Sequence, residues 1–457
     1  MVNNPQKQII LKKIFAIYGL GNVGGPIAAV WLRAGVKVIG VDISQHLLNE
    51  IKHGSSHKKE PFLSETFTKA IRKKSFILTS DGVDASKKSS IKIIVVPVGL
   101  KNNKVDLRSV INVTNDIAKG LKKGDTVILS PSVPPGTSEK IVLPILEKIS
   151  KMKGDKDFYL IYNPERIFEG KAVKDIEENY PAVISGLGPK SLKMAENIFK
   201  TICKKGILKM PSLAEAEAEK LFEGAYRDVN IALANELADY CEKIGINYWE
   251  TRKGANSQPF CHLHYPGTGV GGLCIPVYPH IIIEDASKLG KTMSLLQSSR
   301  RINDNMPKKC VDNAIKMLLK NKINPKNAKI AVLGLGFRGE VTDTRLSPTY
   351  DVVNEFLKKE CTVTVHDPYI FEDKKLPKSV SLTKNLANAT QNVNLIFISS
   401  DHKIYSKLNS KSFPKRKKSI LFFDGRNILN PKLFSHSILN TIGIGRNFNQ
   451  NIFTSSE

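Results

Sequence analysis

The sequence lacks several features that would assign it to a disulfide, zinc or membrane class. Its six cysteines are dispersed between Cys203 and Cys361, and none forms a C-x-x-C pair. No apolar run approaches the roughly 20 residues that span a bilayer. The N-terminal stretch shows no signal-peptide cleavage pattern and runs directly into a predicted strand. These absences predict reduced thiols, no metal site and a cytoplasmic protein without a membrane partner.

Acidic residues are also scarce, because 43 Asp and Glu face 69 Lys and Arg for a net charge of +26. Such an excess is typical either of proteins that bind nucleic acid or phosphorylated molecules, or of a lysine-rich solvated surface. The charge is dispersed, and its densest cluster, at residues 413–423, runs into an apolar strand pattern. No zinc-finger spacing or RNA-binding strand signature is present. We therefore expect a solvated surface and no nucleic-acid partner, and a basic nucleic-acid binder is the least favoured hypothesis.

The length of 457 residues predicts two or three domains. Residues 1–205 alternate apolar, strand-like runs with amphipathic segments, which is typical of a parallel sheet covered on both faces. Residues 206–321 are mainly helical and include a long helix that should end near Gly245. Residues 322–457 return to the strand–helix alternation. The predicted fold class is α/β, with two Rossmann-like doubly wound domains joined by a central helical domain.

A glycine-rich turn lies between the first predicted strand and helix. Its spacing, G-x-G-x-x-G, permits a tight turn, close approach of a pyrophosphate and close packing of helix on sheet. The helix N-terminus would supply free N–H groups and a positive dipole end. The next strand ends in an aspartate, which can accept from both ribose hydroxyls and repels a 2′-phosphate. The sequence thus predicts NAD as cofactor, bound by Gly19, Gly21, Asn22, Val23, Gly24 and Asp42.

A second strand–glycine turn occurs in "VLGLGFRGEVTDTRLSP", where Gly334, Gly336 and Gly339 have the same spacing as the glycines of the first turn. The glycine spacing alone is weak evidence for a nucleotide site, so we do not expect a second full dinucleotide site here. It is compatible with a domain that holds a phosphate or nucleotide by other contacts.

Three further residues could carry chemistry: Glu165 after a predicted strand, Lys220 in the long helix, and Cys274 in the loop "GTGVGGLCIPVYP". A thiolate can attack an aldehyde, and the adduct can lose hydride to NAD to become a thioester. A lysine would stabilise the developing oxyanion, and a carboxylate would move a proton. Singly, each residue has an ordinary structural interpretation, so the hypothesis depends on their occurrence together with the NAD turn.

These motifs resemble the UDP-glucose/GDP-mannose dehydrogenases, which are NAD-dependent enzymes that oxidise the C6 alcohol of a sugar nucleotide to the carboxylate. The resemblance extends over residues 12–446, and its forms are most similar to the branch that oxidises UDP-N-acetylmannosamine or UDP-N-acetylglucosamine. It implies an N-terminal NAD domain, a central helical dimerisation and catalytic domain, a C-terminal UDP-binding domain and a homodimer or higher oligomer. The matching segments are GLGNVGGPIA, SVPPGT, NPERIFEG, AEKLFEGAYRDVNIALANELA, PGTGVGGLCIPV, GLGFRGEVTDTRLSP and DGRN.

By position, the resemblance assigns Cys274 as nucleophile, Lys220 as the helix lysine and Glu165 as the group that transfers protons. It places Ser132 where the family has a threonine near the reacting water, beside the cofactor. It also implies that the substrate is held by Arg345, Gly271 and Gly272.

The chain departs from the family pattern around the reactive centre. Tyr278 stands where the family has an aspartate, Gly224 where it has an asparagine, and Phe260 where this branch has an arginine from the partner subunit. The favoured hypothesis is an active UDP-sugar 6-dehydrogenase, with UDP-N-acetyl-D-mannosamine as the best guess for the substrate. The alternative is a catalytically weakened paralogue that binds NAD and UDP-sugar in a regulatory or structural role.

Overall fold

A computed structural model describes residues 5–54, 60–101, 104–413, 420–430, 433–434 and 439–446. The chain divides into two compact units, one of residues 1–223 and 280–290, the other of residues 224–279 and 291–457. Most of the basic cluster, residues 414–419, lies outside the described residues. Within the described ranges, no helix combines the length and apolarity needed to cross a membrane.

The first unit is built on a sheet whose order is β10-β9-β8-β7-β4-β1-β2-β3, with a separate β5–β6 hairpin. All neighbours in the sheet are parallel except β8 and β9. The strands β3-β2-β1-β4-β7-β8 have the doubly wound order, which is written 3-2-1-4-5-6 when the six strands are numbered along the chain without the hairpin. The strands are β1 Ile14–Tyr18, β2 Lys37–Val41, β3 Phe76–Thr79, β4 Ile91–Ile94, β5 Gly99–Lys101, β6 Lys104–Asp106, β7 Thr126–Leu129, β8 Tyr159–Tyr162, β9 Ala182–Gly186 and β10 Ile207–Lys209.

Apolar residues alternate between the two faces of this sheet, and helices bury both. On β1, Phe15 and Ile17 belong to one core cluster, while Ala16 and Tyr18 belong to the other. The helices are α1 Pro5–Leu11, α2 Gly24–Arg33, α3 Gln45–Lys52, α4 Leu63–Arg72, α5 Gly82–Lys88, α6 Arg108–Gly120, α7 Leu143–Ser150, α8 Ala172–Lys174 and α9 Pro189–Phe199, with π-helical turns at Ser138–Val142 and Asp175–Asn179.

Four helices form the middle of the chain: α10 Leu213–Ile244, α11 Tyr248–Ala255, α12 Tyr278–Lys288 and α13 Ser294–Lys320. Gly245 follows α10 with a positive φ of 80°, as a helix-ending glycine should, so the predicted end of this helix is confirmed. The limits of the two units fall inside α10 and α12.

The second unit carries a parallel sheet in the order β13-β12-β11-β14-β15-β16, again 3-2-1-4-5-6. Its β11 residues Ile330 and Val332 pack in a cluster with Ala234 and Ala238 of α10. The elements are β11 Lys329–Leu333, α14 Thr349–Lys358, β12 Thr362–His366, β13 Ser381–Thr383, α15 Leu386–Thr390, β14 Leu395–Ile398, α16 Lys403–Ser406, a 3₁₀ turn at Ser410–Ser412, β15 Ile420–Asp424 and β16 Leu439–Gly443.

The predicted fold class is confirmed: each unit carries a doubly wound, mainly parallel sheet, and the central helices lie between the two sheets along the sequence. The apolar runs predicted as strands became β1 to β4, β7, β8, β11, β12, β14 and β15. The short β5–β6 hairpin and the strands β9, β10, β13 and β16 were not predicted. Strand β10 shows why, because Leu208 is half exposed and Lys209 is polar, so the strand lacks a buried apolar run.

Candidate active site

The first glycine turn has the backbone that a dinucleotide site requires. Gly19 follows β1 with φ of 94°, a conformation that favours glycine. A Cβ at Gly24 would overlap the carbonyl oxygen of Gly19, so only glycine lets α2 begin this close to the strand. By contrast, a Cβ at Gly21 would meet nothing within 4 Å, which leaves open space beside the turn.

Helix α2 begins at this open space. Val23 occupies its N-cap position, and no side chain caps the helix. The first N–H groups of a helix have no partner inside it and carry a partial positive charge, so an uncapped start is suited to a pyrophosphate. Asn22 and Val23 lie between the open glycine and the first helical residue. The turn therefore fits the cofactor that the sequence predicts.

Asp42, directly after β2, links the second strand to this turn. Its Oδ2 accepts a hydrogen bond from Leu20 N–H at 2.8 Å, and its Oδ1 accepts from Ser44 N–H at 2.9 Å. The side chain remains partly exposed. A carboxylate has further lone pairs on both oxygens, so Asp42 can hold the turn and still accept from ribose hydroxyls.

The loop after β7 carries Ser132 and is held by a buried carboxylate on α10. Glu217 is fully buried and accepts from Gly136 N–H at 2.5 Å and from Ser138 N–H at 2.8 Å. Tyr162 donates its hydroxyl to the carbonyl of Pro131 at 2.9 Å. The partly buried Ser132 thus lies in a loop fixed from both sides. Desolvation raises the pKa of Glu217 to about 7, although its N–H donors oppose the shift.

Sequence reasoning did not single out Glu217. A signal was available in the helical spacing, because Leu213, Glu217 and Leu221 recur every four residues and all three are fully buried. A carboxylate on the buried stripe of a helix needs hydrogen-bond donors, and here the loop supplies them.

Glu165 and Lys220 are the two predicted catalytic residues of the first unit. Glu165 follows β8, is partly exposed and accepts from the N–H of Ile167. Burial raises the pKa of Glu165 to about 7, while the positive charge of Lys220 acts in the opposite direction. The Lys220 side chain is 13% exposed and lies 3.5 Å from Glu223 one turn along the helix. A carboxyl that titrates near neutral pH beside a lysine can take up and release protons at physiological pH.

Cys274 is the thiol that the second unit exposes. All six cysteines lie within the described residues, and Cys274 is the exposed one; Cys261 is partly buried and the remaining four are buried. Burial raises the pKa of those four thiols, which makes them poor nucleophiles at neutral pH. The Cys274 carbonyl accepts from the N–H of Tyr278 at 2.9 Å, so the cysteine precedes the start of α12.

The glycine loop before Cys274 is held at three places within the second unit. Gly267 N–H donates to Asn235 Oδ1 on α10 at 2.9 Å, and the buried Thr268 donates to the carbonyl of Gly425 at 3.2 Å. Gly272 N–H donates to the carbonyl of Arg345 at 3.0 Å. A Cβ at Gly271 would contact the backbone and side chains of the segment that carries Arg345. The structure thus brings together Arg345, Gly271 and Gly272, the three predicted substrate contacts.

The Arg345 guanidinium is engaged by Asp343, whose carboxylate accepts from its Nε at 2.9 and 3.0 Å. The side chain is still 43% exposed. Phe260, where the branch has arginine, is 96% exposed and presents an apolar ring to solvent.

Comparison with known proteins agrees with this geometry. Residues 12–203, 214–305 and 331–431 match the NAD binding, central and UDP binding domains of the UDP-glucose/GDP-mannose dehydrogenase family. UDP-N-acetyl-D-mannosamine dehydrogenase of Methanococcus vannielii is 35% identical over 95% of this chain and 96% of its own. The chain belongs to the UDP-glucose/GDP-mannose dehydrogenase family.

Solved structures of the family support the fold. The UDP-D-ManNAc dehydrogenase of Pyrococcus horikoshii is 31% identical with a TM-score of 0.85, covering 95% of this chain and 99% of that one. An NDP-N-acetyl-D-galactosaminuronic acid dehydrogenase of Methanosarcina mazei is 28% identical with a TM-score of 0.80, covering 97% and 98%. The predicted family is therefore confirmed: this chain is an NAD-dependent UDP-sugar dehydrogenase that acts on a CH–OH group.

Proposed function

We propose that this chain oxidises the C6 alcohol of UDP-N-acetyl-D-mannosamine to the uronate. The reaction consumes one alcohol, two NAD⁺ and one water, and it yields one carboxylate, two NADH and three protons. The similar enzymes of Methanococcus and Pyrococcus, which are UDP-N-acetyl-D-mannosamine dehydrogenases by name, support this choice of sugar. The observation that carries the proposed mechanism is the exposure of Cys274 in a chain whose other cysteines are buried or partly buried.

The first glycine turn would hold NAD, with the pyrophosphate at the start of α2 and a ribose at Asp42. NAD supplies the hydride acceptor for both oxidations when it is bound. The contacts we assign to it are those predicted from sequence, namely Gly19, Gly21, Asn22, Val23, Gly24, Asp42 and Ser132.

Cys274 acts after the first oxidation, when C6 is an aldehyde. The thiolate adds to the carbonyl carbon and the carbonyl oxygen takes a proton, which gives a thiohemiacetal. Loss of the C6 hydride and of the hydroxyl proton leaves a thioester. Water then attacks the thioester carbon, the carbon–sulfur bond breaks, and the products are the carboxylate and the free thiol.

Lys220 would stabilise negative charge on the C6 oxygen. Its side chain is largely buried, and an ammonium interacts more strongly with a negative charge there than in water. Glu165 would accept a proton from water during thioester cleavage, because its pKa of about 7 lets it change protonation state at neutral pH. Ser132, in the loop that Glu217 fixes, would orient that water.

Arg345, Gly271 and Gly272 would hold the nucleotide part of the substrate. We retain the predicted division into an NAD domain (1–205), a central dimerisation and catalytic domain (206–321) and a UDP-binding domain (322–457), and the cytoplasmic location. Exposed Tyr226, Leu233 and Tyr240 recur every seven residues on α10 and support the proposal of a homodimer through this helix.

The test is to incubate the purified chain with NAD and a panel of UDP-sugars and follow NADH absorbance. We expect two NADH per molecule of UDP-N-acetyl-D-mannosamine and none with Cys274→Ala. Cys261→Ala is the matched control and should retain full turnover. Turnover that survives Cys274→Ala would contradict the proposed mechanism. A preference for a sugar nucleotide other than UDP-N-acetyl-D-mannosamine would contradict the proposed substrate.

A second candidate is the weakened paralogue that binds both ligands without completing the reaction. It is favoured by Gly224, Phe260 and Tyr278, which replace polar or charged groups of the family pattern. In the same assay this candidate predicts NAD and UDP-sugar binding with no NADH, or with one NADH per sugar and a stalled intermediate.

A further inference from the structure

A chain of buried polar side chains connects two middle helices to the loop of the proposed nucleophile. Helix α10 contributes Asp228 and Asn235, and α13 contributes Ser299, Arg300 and Asn303. Each of these five residues, which we call the polar chain, is at most 4% exposed, and all belong to the second unit. Buried polar groups need hydrogen-bond partners, so the partner of each group is informative.

Asp228 accepts the hydrogen bonds that come from α13. Ser299 donates its hydroxyl to Asp228 Oδ2 at 3.0 Å, and Arg300 donates through Nη1 to Oδ1 at 2.5 Å. Asn303 donates its side-chain amide to Asp228 twice, to Oδ1 at 2.8 Å and to the main-chain carbonyl at 3.0 Å. Asp228 therefore fixes the amide of Asn303 against α10.

The two ends of the polar chain determine the direction of every bond between them. The Asp228 carbonyl can only accept, so Asn303 turns its NH₂ towards it and keeps Oδ1 for the NH₂ of Asn235, 3.0 Å away. At the other end the Gly267 N–H can only donate, and it donates to Asn235 Oδ1 at 2.9 Å. Rotating either amide by half a turn would place donor against donor. Asn235 therefore has one orientation, with its oxygen towards the loop.

The bond to Asn235 fixes the start of a loop that needs anchors. Gly267 opens this loop, seven residues before Cys274, and Gly269 and Gly272 within it have φ values of 147° and 85°. A glycine-rich segment loses much conformational freedom when it is ordered, so hydrogen bonds must offset that cost. The other two anchors of the loop run to the segment after residue 322. Of the three, the bond to Asn235 is the one that ties the loop to the middle helices.

We infer that Asn235 is a positioning residue for Cys274, and that Asn303 and Asp228 position Asn235 in turn. The inference rests on the proposed function, in which the Cys274 thiolate attacks C6. Asn235 touches no reacting atom; it fixes the start of the loop and, through the loop, the place of the thiol. A displacement of about 1 Å at a reacting group can cost about 100-fold in rate, so loss of this anchor lowers kcat. The NAD turn belongs to the first unit and should bind its cofactor as before.

The first test compares Asn235→Leu with Asn235→Asp. Leucine has the same branched shape but removes both bonds, whereas a carboxylate still accepts from the Gly267 N–H and loses the donor to Asn303. Both variants should have a lower Tm, but we expect kcat to fall about tenfold in Asn235→Leu and less than about threefold in Asn235→Asp. The Kd for NAD should be unchanged in both. Equal losses of kcat in the two variants would overturn the positioning role.

The second test requires no turnover and follows hydrogen–deuterium exchange of the amides in residues 267–274. Exchange should be about tenfold faster in Asn235→Leu, and it should also accelerate in Asn303→Ala, although Asn303 does not contact the loop. Asn321→Leu is the control, because Asn321 donates to the Met317 carbonyl at the end of α13, outside the polar chain. Native exchange in both polar-chain variants would overturn the inference.

The two tests separate failure of this inference from failure of the proposed function. If the native chain turns over no UDP-sugar, the proposed function fails, and the exchange test still decides whether the polar chain holds the loop. If Asn235→Leu does not fold, Asn303→Ala takes its place in both tests, because it removes the partner of the Asn235 amide and leaves Asn235 itself in place. A folded Asn303→Ala with native kcat and native exchange would then overturn the inference.

Discussion

The two strand–glycine turns of this chain share their glycine spacing and a hydrogen bond to an aspartate, and they differ in the surroundings of that aspartate. In the first turn Leu20 N–H donates to Asp42, and in the second Leu335 N–H donates to Asp367, each at 2.8 Å. Both aspartates follow the neighbouring strand, and Gly19 and Gly334 have φ values of 94° and 96°. The similarity follows from the shared order of strands.

The surroundings of the two aspartates are opposite. Asp42 is partly exposed, whereas Asp367 is fully buried and also accepts from Gly336, Tyr369, Ile370 and His402. Both of its carboxylate oxygens already accept hydrogen bonds from the protein, so no lone pair is available for a ribose hydroxyl. The second turn also lacks an adjoining helix, because α14 does not begin until Thr349.

The comparison shows which parts of a glycine turn are structural and which are functional. The strand, the three glycines and the bond to the aspartate are present in both turns and fix the backbone. An exposed carboxylate and an immediate helix start are present in the first turn alone, and these are what a dinucleotide needs. These differences give a physical basis for the prediction that the second turn does not hold a full dinucleotide.

Replacing the buried aspartate should have the largest effect. Asp367→Asn keeps one acceptor oxygen and leaves at least two buried donors unpaired, so we expect a loss of about 3 kcal/mol in unfolding free energy. Asp42→Asn, on a partly exposed site, should cost about 1 kcal/mol or less. Urea unfolding of the two variants makes the measurement. Equal losses would mean that the two aspartates do not differ as their burial indicates.

Alanine at the third glycine should weaken NAD binding when it is placed in the first turn and leave it unchanged when it is placed in the second. In Gly24→Ala the new Cβ would overlap the carbonyl oxygen of Gly19 and displace the start of α2, and we expect the Kd for NAD to rise about 100-fold. Gly339→Ala is the matched change in the second turn, where the Cβ would overlap the backbone of Asp401. Calorimetry should show an unchanged Kd for NAD in that variant. A comparable rise in Kd would mean that NAD binding depends on the second turn and would contradict its assignment to the first.

Asp42 should determine the choice between the two nicotinamide cofactors. Asp42→Asn removes a charged acceptor for ribose hydroxyls and the charge that repels a 2′-phosphate, so we expect NAD binding to weaken about tenfold. Binding of NADP should strengthen at the same time. Titration of both cofactors measures the ratio, and Asp106→Asn in the β5–β6 hairpin is the control. A ratio that does not move would place the ribose away from Asp42.

Much of this organisation could be predicted from sequence, because local patterns determine it. The G-x-G-x-x-G spacing located the first turn, and continuous apolar runs located the central strands. Short polar edge strands such as β10 escaped prediction, since an edge strand buries little. The family resemblance rather than local pattern supplied the roles of Lys220, Arg345 and Ser132, which stay predictions.

Contacts between distant residues were beyond sequence reasoning. Glu217 holds Gly136 and Ser138 across some 80 positions of sequence, and nothing local identifies the partners of a buried carboxylate. The contact between Gly224 and Tyr278, whose ring a Cβ at position 224 would overlap, was equally hidden, because each position by itself was simply a departure from the family pattern. Both became interpretable only when tertiary packing gave each residue its neighbour.

The smallest effects concern pH, because one carboxyl in each unit has a shifted pKa and the two shifts have opposite signs. Glu165 ionises near 7 when folded and near 4.5 when unfolded, so its contribution to stability falls as pH rises from 4.5 to 7. Burial alone would raise the pKa of Asp367, but His402 and backbone donors lower it below 3.8, so its contribution to stability is lost as pH falls below that value.

If Glu165 is the base, kcat at pH 7 should be about half its plateau above pH 8. Glu165→Gln should abolish this rise of kcat with pH and flatten the decline in stability between pH 5 and 8. A rise of kcat with pH that persists in Glu165→Gln would assign the base to another group.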